Sequence, residues 1–180
     1  MEEHDLVALQ ITDIKGFMAK LLTESGTVFD TFLLSEAVIT TYNTFTIDGH
    51  IHPEFYASDE NTEGESDGTS RDKVMSTWKT MKPICFDLIK GKRTPLNFKF
   101  VFCLSTKNIE QFLAQAGLSE AFRPENVNGL VLNIKYDGTA LTCISATSMN
   151  LFTLDKLLEH AWDDRIRRFF KQNEIVFEES

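Results

Sequence analysis

The sequence has few cysteines and no long hydrophobic run, and both shortages limit what the protein can be. Its cysteines are odd in number, widely spaced and set among apolar residues: Cys85, Cys103 and Cys143. This pattern predicts buried reduced thiols and argues against a disulfide framework. No stretch approaches the roughly 18 apolar residues that cross a bilayer, and the acidic residues 1–5 do not resemble a signal peptide. We therefore expect a cytoplasmic protein without a membrane partner.

Basic residues are scarce relative to acidic ones. The chain has 18 Lys and Arg against 27 Asp and Glu, which gives a formal net charge of −9. A polyanion is on average repelled by such a protein, so the charge argues against nucleic acid as a partner. A local basic stripe can nevertheless bind a phosphate backbone when the rest of the surface is acidic.

Familiar catalytic motifs are also missing from the sequence. It contains no Gly-rich phosphate loop, no G-x-S-x-G, no H-E-x-x-H and no Cys-x-x-Cys. Cys103 and Cys143 lie within strand patterns, and no histidine is near either of them in the sequence. The sequence therefore favours a non-enzymatic binding or protein-interaction module, with a protein partner or a second copy of the chain, over an enzyme.

The composition that is present indicates a folded chain. Of its 180 residues, 42% are hydrophobic and 15 are Phe, whereas disordered chains are poor in aromatic residues. This length is within the usual range for one domain. We expect a single domain over residues 1–180.

Apolar periodicity predicts helices that alternate with strands, and therefore an α+β fold with a mainly antiparallel sheet. A strand over residues 6–11 leads into a helix capped by Thr12 or Asp13, and a later helix begins at Ser105 or Thr106 and ends at Gly117. Pro83 is expected to kink or split the helix in which it lies. The last helix is expected to face inward through the following residues: Leu154, Leu157, Leu158, Ala161, Trp162, Ile166 and Phe169.

Two Asp-Gly pairs predict two-residue hairpin turns, because a type I′ turn needs positive φ at both positions. They are Asp48-Gly49 and Asp137-Gly138. Strands that flank both turns are apolar on both sides, so the pattern does not predict which sheet face is buried. On the last helix, Asp163 with Arg167 and Asp164 with Arg168 are spaced as i,i+4 ion pairs.

The order of predicted elements occurs twice along the chain. Residues 14–19 resemble residues 109–114, Asp48-Gly49 resembles Asp137-Gly138, and Trp78 resembles Trp162, with offsets of 95, 89 and 84 residues. This repetition predicts two pseudo-symmetric strand-helix-strands-helix units, residues 1–94 and 95–180, that share one sheet. A chance similarity of two amphipathic patterns is the alternative.

The duplicated layout resembles the TATA-binding-protein fold and the repeating unit of DNA sliding clamps. This resemblance implies a nucleic-acid-associated, clamp-like function as a further alternative, which needs a contiguous basic face. Residues 8–18 (ALQITDIKGFM) and 32–52 (FLLSEAVITTYNTFTIDGHIH) resemble an uncharacterised family of bacterial proteins. That second resemblance implies a bacterial origin and assigns no functional residue.

A possible divalent metal site is the main enzymatic or metal-binding alternative. His50 and His52 are two residues apart on a predicted strand after the Asp48-Gly49 turn, so both imidazoles are expected on one face, where Asp48 and Glu54 could add oxygen ligands. Pro53 instead marks a strand end, where exposed polar residues are ordinary. Without this site, no cofactor is expected.

An acidic segment over residues 57–72 imitates part of a calcium-binding loop. Asp59, Asn61, Glu63 and Asp67 fall at ligand positions, but Ser70 stands where the bidentate carboxylate is required. A solvated surface loop is the better interpretation of this segment.

Two basic clusters are candidates for an anion site, one on the last helix and one after an earlier helix. Arg165, Arg168 and Lys171 lie on the last helix with Arg167, and a second cluster follows the central helix at Lys90, Lys92 and Arg93. Cations in the last turn of a helix also complement its dipole, by about 0.3 to 1 kcal/mol each, and the sequence favours this second role.

Overall fold

A computed structural model describes residues 6–56 and 75–180, so the acidic segment and its calcium-like pattern lie outside the described residues. Four helices and a seven-stranded sheet form in this part of the chain, which confirms the predicted α+β class. No helix in it is both long enough and apolar enough to cross a membrane. The elements are β1 (Ala8–Ile11), α1 (Ile14–Leu22), β2 (Leu33–Thr40), β3 (Thr44–Asp48), α2 (Trp78–Ile89), β4 (Asn97–Cys103), α3 (Thr106–Gln115), β5 (Val127–Tyr136), β6 (Leu141–Met149), α4 (Leu157–Gln172) and β7 (Phe177–Glu179).

The strands follow the order β3-β2-β4-β5-β6-β1-β7, and every neighbouring pair is antiparallel. β1 lies between β6 and β7, so that Leu9 is opposite Cys143 on one side and Glu179 on the other. The sheet is therefore completed only when distant parts of the chain meet.

One face of the sheet is buried and the other is partly exposed. On β4, Phe98, Phe100 and Phe102 are buried, whereas Lys99 and Val101 between them are partly exposed. All four helices contribute to the core on the buried side, where Phe100 and Phe102 contact the indole of α2. The helix contributions to this core include Phe17, Leu21, Trp78, Cys85, Ile109, Phe112, Trp162, Ile166 and Phe170.

The partly exposed face carries charges of both signs. Glu36 and Lys99 form an ion pair of 3.0 Å on it, and Lys135 lies opposite Lys99 on the next strand. Asp48 lies opposite Glu36 on the edge strand. Within the described strands this face therefore does not present the contiguous basic surface that a clamp-like nucleic-acid site needs.

Local capping signals are confirmed by the structure. The Asp13 side chain accepts a hydrogen bond from the Gly16 amide at 3.0 Å, and Ser105 accepts one from the Asn108 amide at 3.2 Å. Gly117 has a φ of +70° just after α3. α2 continues through Pro83 as a single helix, so Pro83 does not split it, and the alternative of a kink stays a prediction.

The hairpin at Asp137-Gly138 is confirmed, but the predicted two-residue type I′ turn is wrong, because four residues connect β5 to β6 and Asp137 does not have a positive φ. Asp137 Oδ1 accepts hydrogen bonds from the amides of Thr139 (2.9 Å) and Ala140 (2.8 Å), and Gly138 has a φ of +100°. The amides of Ala140 and Thr139 hold the pKa of Asp137 below its usual value, since they stabilise the charged carboxylate.

The hairpin prediction at Asp48-Gly49 is wrong. β2 and β3 turn earlier, where the Thr41 amide donates to the Asn43 carbonyl at 2.9 Å, and β3 ends at Asp48. The Gly49 amide donates to the Ser35 carbonyl at 2.9 Å, and a Cβ on Gly49 would overlap the carbonyl oxygen of Leu34. The glycine is needed for close backbone approach and not for a turn.

The two halves of the proposed repeat use their matching residues differently. The indole of Trp78 donates to the Leu21 carbonyl of α1, whereas that of Trp162 donates to the Val131 carbonyl of β5. The two Asp-Gly pairs also have different roles. The pseudo-symmetric division at residues 94 and 95 stays a prediction.

α4 differs from its prediction in one ion pair and in the residues at its start. Asp163 is buried and accepts a hydrogen bond from the Ser145 hydroxyl, so it does not form the predicted surface pair with Arg167. The helix begins at Leu157, and the large side chains just before and at its start are exposed, contrary to the inward prediction for two of them. They are Leu151, Phe152, Leu154 and Leu157.

All three cysteines are buried thiols that form no disulfide, as predicted. Burial raises the pKa of the Cys85 thiol to about 12 and also raises that of Cys143. Their thiolate forms are therefore rare at neutral pH.

A buried ion pair joins α2 to the segment before β2. The ammonium of Lys82 donates to Asp30 Oδ1 at 2.8 Å and to the Gly26 carbonyl at 2.6 Å. The side chains of Lys82 and Asp30 are only 8% and 14% exposed. This pair links α2 to the segment that precedes β2.

The pair between Arg167 and Glu179 holds β7 against α4, and we expect its contribution to disappear in acid. The guanidinium of Arg167 holds the pKa of Glu179 below its ordinary value of 4.5. A lowered pKa gives stability that is complete above the ordinary value and is lost as the pH falls through the lowered one. Since the pair is partly exposed, Glu179→Gln should cost less than about 1 kcal/mol at pH 7 and nothing at pH 2, measured by urea unfolding. An equal cost at both pH values would contradict this.

Candidate binding groove

The structure places each predicted metal-site histidine against a nearby carboxylate. His50 Nδ1 lies 2.5 Å from Asp48 Oδ1, and His52 Nδ1 lies 3.4 Å from Glu54 Oε1. The backbone amide of His50 lowers the pKa of Asp48, and its imidazole adds to this effect. Within residues 6–56 and 75–180, no group of three His, Cys, Asp or Glu residues is placed to hold a metal ion. The metal site stays a prediction.

The predicted anion-site residues on α4 differ in the contacts that they make. All three are exposed, and Arg165 donates to Gln115 Oε1 on α3 at 3.2 Å. Arg167, which belongs to the same cluster, pairs with Asp164 and Glu179. Arg165 lines a pocket between α3 and α4.

The other basic cluster lies at a larger concavity, which we call the basic groove. It has a volume of about 550 Å³ and is formed by one side of α1, the end of α2, residues 90–95 and the facing ends of β4 and β5. Pockets of about 300 to 1,000 Å³ are typical for ligand binding. Its lining comprises Ile14, Lys15, Met18, Ala19, Leu22, Thr23, Phe86, Ile89, Lys90, Gly91, Lys92, Arg93, Thr94, Pro95, Phe98 and Tyr136.

The floor of the basic groove is apolar and rigidly supported. Phe98 and Tyr136 stack with ring centroids 5.2 Å apart, and both are buried. The Tyr136 hydroxyl donates to the Gly138 carbonyl at 3.0 Å, so the confirmed hairpin turn fixes this ring. Met18 of α1 and Phe86 of α2 extend the apolar surface from the two helices.

The rim of the basic groove carries charge of one sign only. Lys15, Lys90, Lys92 and Arg93 line it, and no lining residue is acidic. Lys90 pairs with Asp87 at 2.9 Å, whereas Lys15, Lys92 and Arg93 make no ion pair with any residue that the structure describes. These three cations are therefore available to a partner.

A second concavity of about 410 Å³ shares residues 89–94 of its lining with the basic groove. Tyr42 and Leu96, which line it, are 83% and 64% exposed. An exposed tyrosine beside an apolar residue is typical of protein interfaces. The apolar surface next to the cations therefore extends beyond the groove itself.

One residue in the sequence, Lys15, is a signal for this groove that the apolar periodicity does not reveal. Lys15 lies in the first turn of α1, which has no acidic residue, although a cation there is opposed by the helix dipole. A charge placed against the dipole indicates a role other than helix stability. Its proximity to Lys92 and Arg93 depends on how α1 packs against α2.

Comparison with known proteins gives one match. A model of a family described as a family of unknown function, DUF5721, matches residues 20–178. No curated protein and no solved structure matches the chain. The predicted resemblance to an uncharacterised family is therefore confirmed, and its bacterial origin stays an expectation.

Proposed function

The chain belongs to the DUF5721 family, whose function is unknown, and from the basic groove we propose that it is a non-enzymatic module that binds an acidic peptide segment with apolar side chains. One observation carries this proposal: four cations and no carboxylate surround an apolar floor, in a chain with a net charge of −9. Acidic groups of a partner would pair with the rim while its apolar side chains cover the floor.

The net negative charge of the chain favours binding of an acidic partner at the basic groove over the rest of the surface. An acidic partner is repelled by most of a chain that carries 27 acidic and 18 basic residues, and it is attracted only where cations are concentrated. Repulsion elsewhere therefore increases the preference for one docking orientation.

The apolar floor favours a peptide over a nucleic acid. Phosphates can pair with Lys92 and Arg93, but the sugar-phosphate backbone of a nucleic acid presents little apolar surface with which to cover Met18, Leu22 and Ile89. A long polyanion is also opposed by the net charge. A peptide with alternating acidic and apolar residues matches both parts of the groove.

The groove chemistry favours binding over catalysis. Its sixteen lining residues include no histidine, cysteine, serine or carboxylate, so its lysine, threonine and tyrosine side chains have no histidine or carboxylate in the lining to activate them as nucleophiles. Recognition by charge and apolar contact requires none of these groups.

Charge reversal in the basic groove should weaken peptide binding. We expect Lys92→Glu/Arg93→Glu to raise the dissociation constant for a fluorescent peptide of alternating Glu and Leu by about tenfold or more, because about 1 kcal/mol is lost at each rim charge. Fluorescence anisotropy at low salt measures this constant. Raising the salt concentration should weaken binding to the unmodified protein, since the rim contacts are exposed.

The matched control is Arg168→Glu/Lys171→Glu, which makes the same change in net charge on the exposed side of α4. If both double variants weaken binding equally, long-range charge explains the effect and the groove does not. A Ser-for-Leu peptide that binds as tightly as the Glu-Leu peptide would exclude a role for the apolar floor. Tighter binding of an oligothymidylate would instead favour the nucleic-acid alternative.

A further inference from the structure

The pocket between α3 and α4 is separate from the basic groove and has a different chemistry. Its volume is about 210 Å³, and it shares no lining residue with the groove. Aromatic rings form much of its inner surface, and Phe112 and Trp162 pack edge to face with centroids 5.6 Å apart. The aromatic lining residues are Phe32, Phe112, Trp162 and Phe169.

Polar groups line the other side of this α3–α4 pocket. Asn108, Gln111 and Gln115 are spaced at i, i+3 and i+7, so one face of α3 presents three carboxamides to it. Arg165 from α4 is the single charged residue in the lining. Gln115 Oε1 accepts a hydrogen bond from Arg165 Nη1 at 3.2 Å, which holds the guanidinium at the pocket.

The size and charge of the pocket restrict its ligand. Its volume is below the range of about 300 to 1,000 Å³ that suits drug-sized molecules, so a ligand has the size of a single ring with few substituents. One cation without an acidic neighbour in the lining matches one negative charge. A guanidinium pairs with a carboxylate through two parallel hydrogen bonds, and aromatic side chains pack well against a planar ring.

We propose that the α3–α4 pocket binds a small aromatic monocarboxylate. Arg165 holds the carboxylate, the rings of Phe112 and Trp162 contact the ligand ring, and the amides of α3 hydrogen-bond to polar substituents. This site is independent of the proposed peptide groove, because the two are built from different residues of different helices.

Benzoate is the probe for this proposal, with benzamide and cyclohexanecarboxylate as its matched comparisons. Calorimetry should show that benzamide, which lacks the charge, binds about tenfold more weakly than benzoate, and that cyclohexanecarboxylate, which lacks the planar ring, also binds more weakly. In a two-dimensional NMR spectrum, benzoate should shift the indole signal of Trp162 and leave that of Trp78 in place, since only Trp162 lines the pocket.

Arg165→Gln should weaken benzoate binding by about tenfold or more, whereas Arg168→Gln, one turn further along α4, should change it by less than about twofold. Arg165→Lys keeps the charge without the planar fork and should show an intermediate loss. Far-ultraviolet circular dichroism checks that each variant is folded. The groove variant Lys92→Glu/Arg93→Glu should bind benzoate normally.

Two results would overturn the proposal. The first is that benzoate produces neither heat nor a shift of the Trp162 signal at concentrations up to about 10 mM. A dissociation constant above that concentration is weaker than any useful affinity for a ligand of this size. The other is equal loss of binding in the Arg165→Gln and Arg168→Gln variants, which would indicate an unspecific effect of charge. Neither result would affect peptide binding at the basic groove.

Discussion

Replacing Lys82 with Met is expected to lower the free energy of unfolding by about 3–5 kcal/mol, the usual cost of removing one partner of a buried ion pair. The substitution keeps the apolar volume of the side chain but leaves the Asp30 carboxylate and the Gly26 carbonyl without their donor. Because small proteins are stable by only about 5–15 kcal/mol, this variant should unfold at a much lower urea concentration.

Two controls separate the burial of this pair from its charge. Lys99→Met breaks the partly exposed pair with Glu36 and should cost less than about 1 kcal/mol, since water solvates the remaining carboxylate. Lys82→Met/Asp30→Leu removes both charges and should recover part of the loss. A cost for Lys82→Met no larger than that for Lys99→Met would show that the pair is not buried in solution.

Gly49→Ala should be among the most destabilising single-methyl changes in the chain, at about 3 kcal/mol or more. The added Cβ would overlap the backbone of Leu34, where β2, β3 and Ser76 meet. A backbone carbonyl cannot move aside as a flexible side chain can, so the hydrogen bonds of Gly49 with Ser35 and Ser76 must break or shift. Thermal unfolding followed by circular dichroism measures the effect.

Gly129→Ala is the matched control for this prediction. Gly129 also lies in the sheet, but a Cβ there would meet only a Val131 methyl group at 3.5 Å, an ordinary contact. The control variant should change stability by less than about 1 kcal/mol in either direction. If Gly49→Ala were as mild as this control, the close approach at Gly49 would not exist in solution.

Sequence patterns predict those parts of the fold that depend on neighbouring residues. The caps at Asp13 and Ser105 and the turn at Asp137 are each formed by hydrogen bonds to amides two or three residues away. The same dipeptide at Asp48-Gly49 led to a wrong prediction. A glycine is required at position 49 because the backbone of Leu34, 15 residues earlier in the chain, lies too close for a Cβ, and not because Gly49 forms a turn. A glycine in the sequence indicates that a side chain is not tolerated at that position, but it does not indicate whether the reason is a turn or the close approach of another part of the backbone.

The candidate site could be predicted only in part. Lys90, Lys92 and Arg93 form a recognisable basic cluster in the sequence, but their apolar counterpart does not. Phe98 and Tyr136 are adjacent only because β4 pairs with β5, with Phe98 opposite Tyr136. The strand order and the packing of α1 against α2 create the groove, and no local pattern contains that information.

The position of β1 also determines when the sheet can form during synthesis. Ala8 pairs with Ile144 and Leu9 with Glu179, separations of 136 and 170 residues. A ribosome must therefore make the chain as far as β6 before β1 acquires one neighbour, and almost the whole chain before it acquires β7 as the other. Contacts this distant slow folding because a long loop must close first. Until then, the backbone groups on both edges of β1 are unpaired, and unpaired strand edges can bind other strands and promote aggregation.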